Sequence, residues 1–152
     1  MTEHKSDLVL HHPQEKVFDF IEIVENLLNL LPADGSAQII EAPEKLHADA
    51  EVEVKVSVMG MSQTLRTRVI EFQRSEVIVS EQIRGPFRAM RQTVRLESLG
   101  PEKTSLLHQV EFEPPGGVLG FVATEERILK LLRSSTLQGL QRVKEALESA
   151  DA

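Results

Sequence analysis

The chain contains no cysteine, no tryptophan and no tyrosine, and only six phenylalanines among its 152 residues. Without thiols there can be neither a disulfide nor a thiolate metal site. With so few rings, any interior has to be built from Val, Leu, Ile and Met. No stretch reaches the roughly 18 apolar residues of a membrane span. The start, MTEHKSDLVLHHPQEK, lacks the apolar run and small-residue cleavage site of a secretion signal. Cations are also scarce: 17 Lys and Arg face 24 Asp and Glu, a net charge of −7 that opposes attraction to nucleic acid and to anionic membranes. No GxSxG, phosphate loop or dinucleotide glycine pattern is present, and GGVLG does not complete GxGxxG. His11 and His12 are adjacent at a strand end, so their side chains diverge, and no carboxylate sits at chelating spacing. The expectation is a cytoplasmic protein with no metal, no cofactor, no nucleic-acid partner and no integral membrane segment.

What remains suffices for one domain over 1–152, long enough to bury roughly 70% of its unfolded surface without staples. Leu8–Leu10 predicts a short first strand ended by HHP. The stretch PQEKVFDFIEIVENLLNLLP then places Val17, Phe20, Ile21, Val24, Leu27, Leu28 and Leu31 at helical spacing. Pro13 opens this run, and Pro32 with Gly35 closes it, which gives one bent helix or two short ones.

The middle of the chain is β. EVEVKVSVMGM alternates strictly, Val52, Val54, Val56 and Val58 on one face and Glu51, Glu53, Lys55 and Ser57 on the other. A turn at the GM pair leads into SQTLRTRVIEFQ. There Leu65 and Val69 share one parity while Ile70 and Phe72 take the other, so a bulge or strong bend is expected. SEVIVSEQI is a further strand, followed by the Gly85-Pro86 turn.

RGPFRAMRQTVRLE raises a question. As a strand it sets Met90, Val94 and Leu96 on one face, with the carboxamide of Gln92 among them. A helix would also match Phe87, Met90 and Val94. The β-branched Thr93-Val94 pair and the bracketing turns favour the strand. A helix would align Arg84, Arg88, Arg91 and Arg95 in a basic stripe, whereas in a strand they split between faces, and a solvated outer face is expected rather than a nucleic-acid surface. After a turn at LGPEK, TSLLHQVEFEP puts Leu106, His108, Val110 and Phe112 on one face. PPGG ends the β region. A short turn precedes a long helix from near Thr124, with Thr124, Glu125 and Glu126 resembling an N-terminal cap and Phe121, Ile128, Leu132, Leu140, Val143 and Leu147 on one face. Gly139 inside that helix costs about 1 kcal/mol relative to Ala, which points to close approach of another backbone. Strand, helix pair, about six strands and a long helix make an α+β two-layer domain.

On HHPQEKVFDFI, EVEVKVSVMG, RGPFRAMRQTVRLE and VEFEPPGGVLG with the terminal helix, the chain resembles the START-like, birch-pollen-allergen-like superfamily. Within it, the nearest branch is that of polyketide cyclase/dehydrase and coenzyme-Q-binding proteins. The resemblance implies a helix-grip fold: a curved antiparallel sheet wrapped around a long C-terminal helix, with two short helices after the first strand. It also implies a cavity between sheet and terminal helix for lipids, isoprenoids, polyketides or sterol-like molecules. Some members catalyse cyclisation or dehydration there, and others only bind. Where many relatives carry an aromatic residue and histidines, this chain has Met90, Gln92 and Val94.

The expected pocket takes Val54, Val56, Val58, Met90, Val94, Val110 and Phe112 from the sheet and Ile128, Leu132 and Ser135 from the helix. Gln92 reads either as a satisfied sheet residue or as a polar anchor in an apolar site. His108 reads either as a hydrogen-bonded core group or as a general base, with Glu81 and Arg88 the nearby charged candidates. Met59, Met61 and Met90 are core fillers or adaptable lining. The leading expectation is binding or transport of a small hydrophobic ligand, in a monomer or homodimer. One alternative is a cyclase or dehydratase using His108 in the same cavity. The other is a cavity-poor interaction module that dimerises through the apolar helices at 17–31.

Overall fold

Alternation makes the first element longer than its apolar residues suggest. In the computed structural model, which describes residues 1–31 and 37–150 apart from the Ala150 side chain, β1 spans Thr2–Leu10 with every second residue turned inward. Its early inward positions are Thr2, His4 and Ser6, which carry no hydrophobic signal, so the sequence shows only its last turnings. The helical run resolves into α1 (Gln14–Ile21), α2 (Val24–Leu27) and a 3-10 turn at Leu28–Leu30. Pro32 and Gly35, the expected stop signals, lie outside the described residues.

Six strands follow: β2 (Gln38–Glu41), β3 (Glu51–Val58), β4 (Met61–Gln73), β5 (Val77–Arg84), β6 (Ala89–Gly100) and β7 (Lys103–Glu113). The chain ends in α3 (Gly117–Val122) and α4 (Glu125–Ala150). All seven strands form one curved antiparallel sheet in the order β1-β7-β6-β5-β4-β3-β2. The phase slip in β4 is a real irregularity: its pairing with β5 shifts between Arg66 and Thr67 and again between Val69 and Glu71. Such shifts bend a strand and add curvature. The segment after Gly85-Pro86 is a strand paired on both sides, with Met90, Gln92, Val94 and Leu96 all buried.

The β3–β4 hairpin closes through Met59 and Gly60, both at positive φ, 51° and 78°. That is the primed-turn geometry whose twist matches the strands. A Cβ on Gly60 would meet nothing within 4 Å, so the cost of adding one is conformational. Gly60→Ala is expected to lower stability by about 1 kcal/mol in urea unfolding; an unchanged midpoint would show that the turn relaxes freely.

Thr124 caps α4, its Oγ1 accepting the Arg127 backbone N–H at 3.4 Å. Ile128, Leu132, Leu140, Val143 and Leu147 are buried along one side of this helix. Phe121, expected on the same face, is instead 85% exposed. It belongs to α3, and the break at residues 123–124 ends the helical phase that would have turned it inward.

The buried side chains fall into two clusters. One gathers α1, the C-terminal half of α4 and the sheet around Val69, Ile78, Val94 and Leu106. The other gathers Val54, Val56, Val58, Leu65, Met90, Val110 and Phe112 with Ile128 and Leu132 of α4. The outer face is charged and paired: Arg66 Nε reaches Glu51 at 2.9 Å, Arg84 reaches Glu53 at 2.8 Å, and Arg91 reaches Glu81 at 3.3 Å. The Arg66 hydrogen bond, foremost, holds the Glu51 carboxyl below its usual pKa.

Candidate functional site

Where the two clusters meet, the interior opens. The sheet side of the pocket is formed by Val52 and Val54 of β3, Leu65 and Thr67 of β4, Ser80 of β5 and Gln92 of β6. Opposite them stand Val24, Leu27, Leu28 and Leu31 from the α2 segment, with Leu46 from the loop before β3. The walls are aliphatic, the polar spots are one carboxamide and two hydroxyls, and no charged side chain takes part among the described residues. The free space is about 30 Å³, enough for a water molecule and too little for a lipid tail. A larger guest therefore requires the walls to part.

The α2 segment has little stability of its own: the helix is four residues long and has no side-chain cap. It is held by packing, with Leu30 fully buried and the Asn29 backbone close to Gly139 of α4, and by identifiable hydrogen bonds. Gln92 Nε2 donates to the Leu30 carbonyl at 3.3 Å. Val24 N–H donates to the Glu44 carbonyl at 3.1 Å, and Leu46 N–H to the Glu22 carbonyl at 2.7 Å. The carboxamide on the core face thus has a structural partner and lines the pocket as well. It links the sheet to the flap above it.

His108 is fully enclosed, and neither ring nitrogen has a partner among the described residues. Burial, and then the nearby His4, push its pKa down to about 3. His4 is itself held below its ordinary value by burial and by Arg133 of α4. His108 lies opposite Ser6 on β1 and opposite Val94 on β6. Gln92 lies opposite Val110, so the amide and the imidazole are diagonal neighbours on one inner face. Neither charged candidate lies on that face: Glu81 points out and pairs with Arg91, and Arg88 is exposed against Gly116.

Of the residues expected to line a cavity, the structure brings Val54 and Gln92 to the pocket. Val56, Val58, Met90, Val110, Phe112, Ile128 and Leu132 pack against one another in the second cluster, and Val94 belongs to the first. Ser135 is on α4 with its hydroxyl buried and unpartnered among the described residues. The wall facing the sheet is α2 and its 3-10 turn, where α4 was expected. Thr67 and Ser80 share parity with their apolar strand neighbours, a signal the sequence did contain. Leu46 sits alone in a loop and gives no periodic signal. Among the described residues no group of three or more His, Asp or Glu side chains is placed to hold a metal ion. No helix there is long and apolar enough to cross a membrane.

The sequence profile described as "Polyketide cyclase / dehydrase and lipid transport" matches residues 10–128. No curated protein matches the chain by sequence. Among solved structures, a protein from Thermus thermophilus is similar at a TM-score of 0.78 and 16% identity, covering 99% of this chain and 100% of that one. The Zhui aromatase/cyclase from a Streptomyces species is similar at 0.75 and 19%, covering 99% and 96%. A START superfamily protein from Mycobacterium smegmatis is similar at 0.71 and 17%, covering 97% and 98%. At these identities the likeness is one of fold.

Proposed function

We propose that this chain, which belongs to the polyketide cyclase/dehydrase and lipid transport family, binds a small hydrophobic molecule between the inner face of β3–β6 and the α2 flap. The observation that carries this reading is the pocket itself: aliphatic walls, three neutral polar groups and a short, uncapped segment as its cover. Val54 and Gln92 are first contacts, and the second-cluster residues become accessible as the flap and α4 separate from the sheet. A guest that removes about 500 Å² of apolar surface from water gains about 12 kcal/mol, which still leaves about 8 kcal/mol after association costs of about 4 kcal/mol, so micromolar binding needs no chemistry. His108 is uncharged at neutral pH and accepts a second proton poorly, so the reading contains no acid–base step through it.

The absence of native tryptophan provides the test. Leu28→Trp places the chain's sole indole in the flap, and Leu137→Trp places one at an exposed site on α4 outside the pocket lining. Titration with long-chain alcohols and ketones should shift the emission of Leu28→Trp saturably and leave Leu137→Trp unchanged. Equal responses from both proteins, or none from either, would refute a pocket beneath α2.

A further inference from the structure

Along β4, β6, β7 and α4 the two apolar clusters are separated by a polar position, whereas β3 is apolar throughout its inward row. On β4 the inward order is Leu65, Thr67, Val69, and on β6 it is Met90, Gln92, Val94. On β7 it is Val110, His108, Leu106. On α4, Leu132 belongs to one cluster and Leu140 to the other, with Ser135 and Thr136 between them. On β5, Ser80 follows Ile78 of the first cluster and stands opposite Gln92. Ser6 of β1 stands opposite His108. A band of neutral hydrogen-bonding groups therefore crosses the interior, with aliphatic side chains on either side.

The band is incompletely paired within the protein. His108 is fully buried with both nitrogens unpartnered, and the buried Ser135 hydroxyl is also unpartnered, among the described residues. Buried polar groups without partners are costly, so a native interior retains few of them. Thr67, Ser80 and Gln92, the part of the band that lines the pocket, sit in the middle of its wall with apolar residues above and below.

We infer that the ligand is uncharged and carries its oxygen function within an apolar skeleton rather than at one end, so that its polar part lies on this band and its apolar arms extend into both clusters. This rests on the binding reading above. A carboxylate or phosphate would meet no Lys or Arg in the lining and would be buried without a counter-ion, which is strongly unfavourable. A molecule with only a terminal polar group would leave one arm short or press that group into Val and Leu.

The experiment compares four probes of equal carbon count on Leu28→Trp at pH 7.5. They are a ketone with its carbonyl at mid-chain, its isomer with a terminal methyl ketone, the fatty acid and the alkane. The mid-chain ketone should bind about five- to tenfold tighter than its isomer, and the acid at least about tenfold weaker. In the background Ser80→Ala with Gln92→Leu, the two ketones should converge to within about twofold, with folding checked by far-UV circular dichroism. Equal binding of both ketones by the Leu28→Trp protein with Ser80 and Gln92 intact, or the tightest binding by the acid or the alkane, would overturn the inference while leaving a hydrophobic pocket standing. Binding of none of the four would overturn the binding reading and this inference together.

Discussion

Gly139→Ala should destabilise the protein by about 2 kcal/mol, against the helix-propensity scale. In an exposed helix the same change stabilises by about 1 kcal/mol. Here a Cβ on Gly139 would overlap the Asn29 carbonyl oxygen, and its next neighbour would be the Leu30 side chain. Backbone cannot yield as a flexible side chain does, so either α4 shifts or the 3-10 turn is pushed off it. For a chain of this length the loss corresponds to a fall of about 4–8 °C in Tm. Amide exchange separates the two responses. Displacement of the turn alone would remove protection from Leu31 N–H, which donates to the Leu28 carbonyl at 3.3 Å, while α4 stays protected. A variant more stable than the parent would mean that the two backbones do not meet.

The second large effect is on acid tolerance. The unfolded chain takes up a proton at His108 near pH 6.5, and the folded chain only near pH 3. Between those values the unfolded state holds more protons, so stability rises with pH. The contribution is complete above about pH 6.5 and is lost as the pH falls toward 3. The loss from pH 7 to pH 4 is about 3 kcal/mol, at up to 1.4 kcal/mol per pH unit. His4, with its pKa also lowered, adds in the same direction. His108→Leu removes two unpartnered buried nitrogens, so it should be neutral or stabilising at pH 7 and should flatten the profile between pH 6.5 and 4. Urea unfolding at several pH values measures this. A His108→Leu profile parallel to the parent's would show that the imidazole is not the group being titrated.

Much of the architecture was legible because it depends on periodicity. The valines of β3, the inward rows of β6 and β7 and the face of α4 are two- and 3.6-residue patterns that survive folding. Gly139 was legible for a different reason: a costly residue in a good helix needs a cause, and the cause is Asn29. Phe121 was misplaced because periodicity says nothing about where one helix stops and another starts. The early part of β1 was missed because His4 and Ser6 are inward and polar.

The site was less legible than the fold. Gln92 and Val54 were found because they sit on patterned strands. The flap residues Leu27, Leu28 and Leu31 were visible as apolar, but nothing in their spacing says which surface they cover. Leu46 is positioned by one backbone hydrogen bond to Glu22, a contact between loops without sequence signature. The polar band became apparent only after the two clusters were drawn in space, since Thr67 or Ser80 alone is an ordinary strand residue.

The register that sets Thr2 opposite Phe112 bears on how the molecule is made. The nine residues of β1 precede their partner among the described strands, β7, by about a hundred residues, a wait of roughly 5–20 s during translation. Until then β1 is an unpaired ribbon and β6 has no neighbour on one side. Completion of the sheet is therefore a late event in the life of the nascent chain, and mutations that weaken β7 should reduce yield in the cell before they reduce the stability of finished molecules.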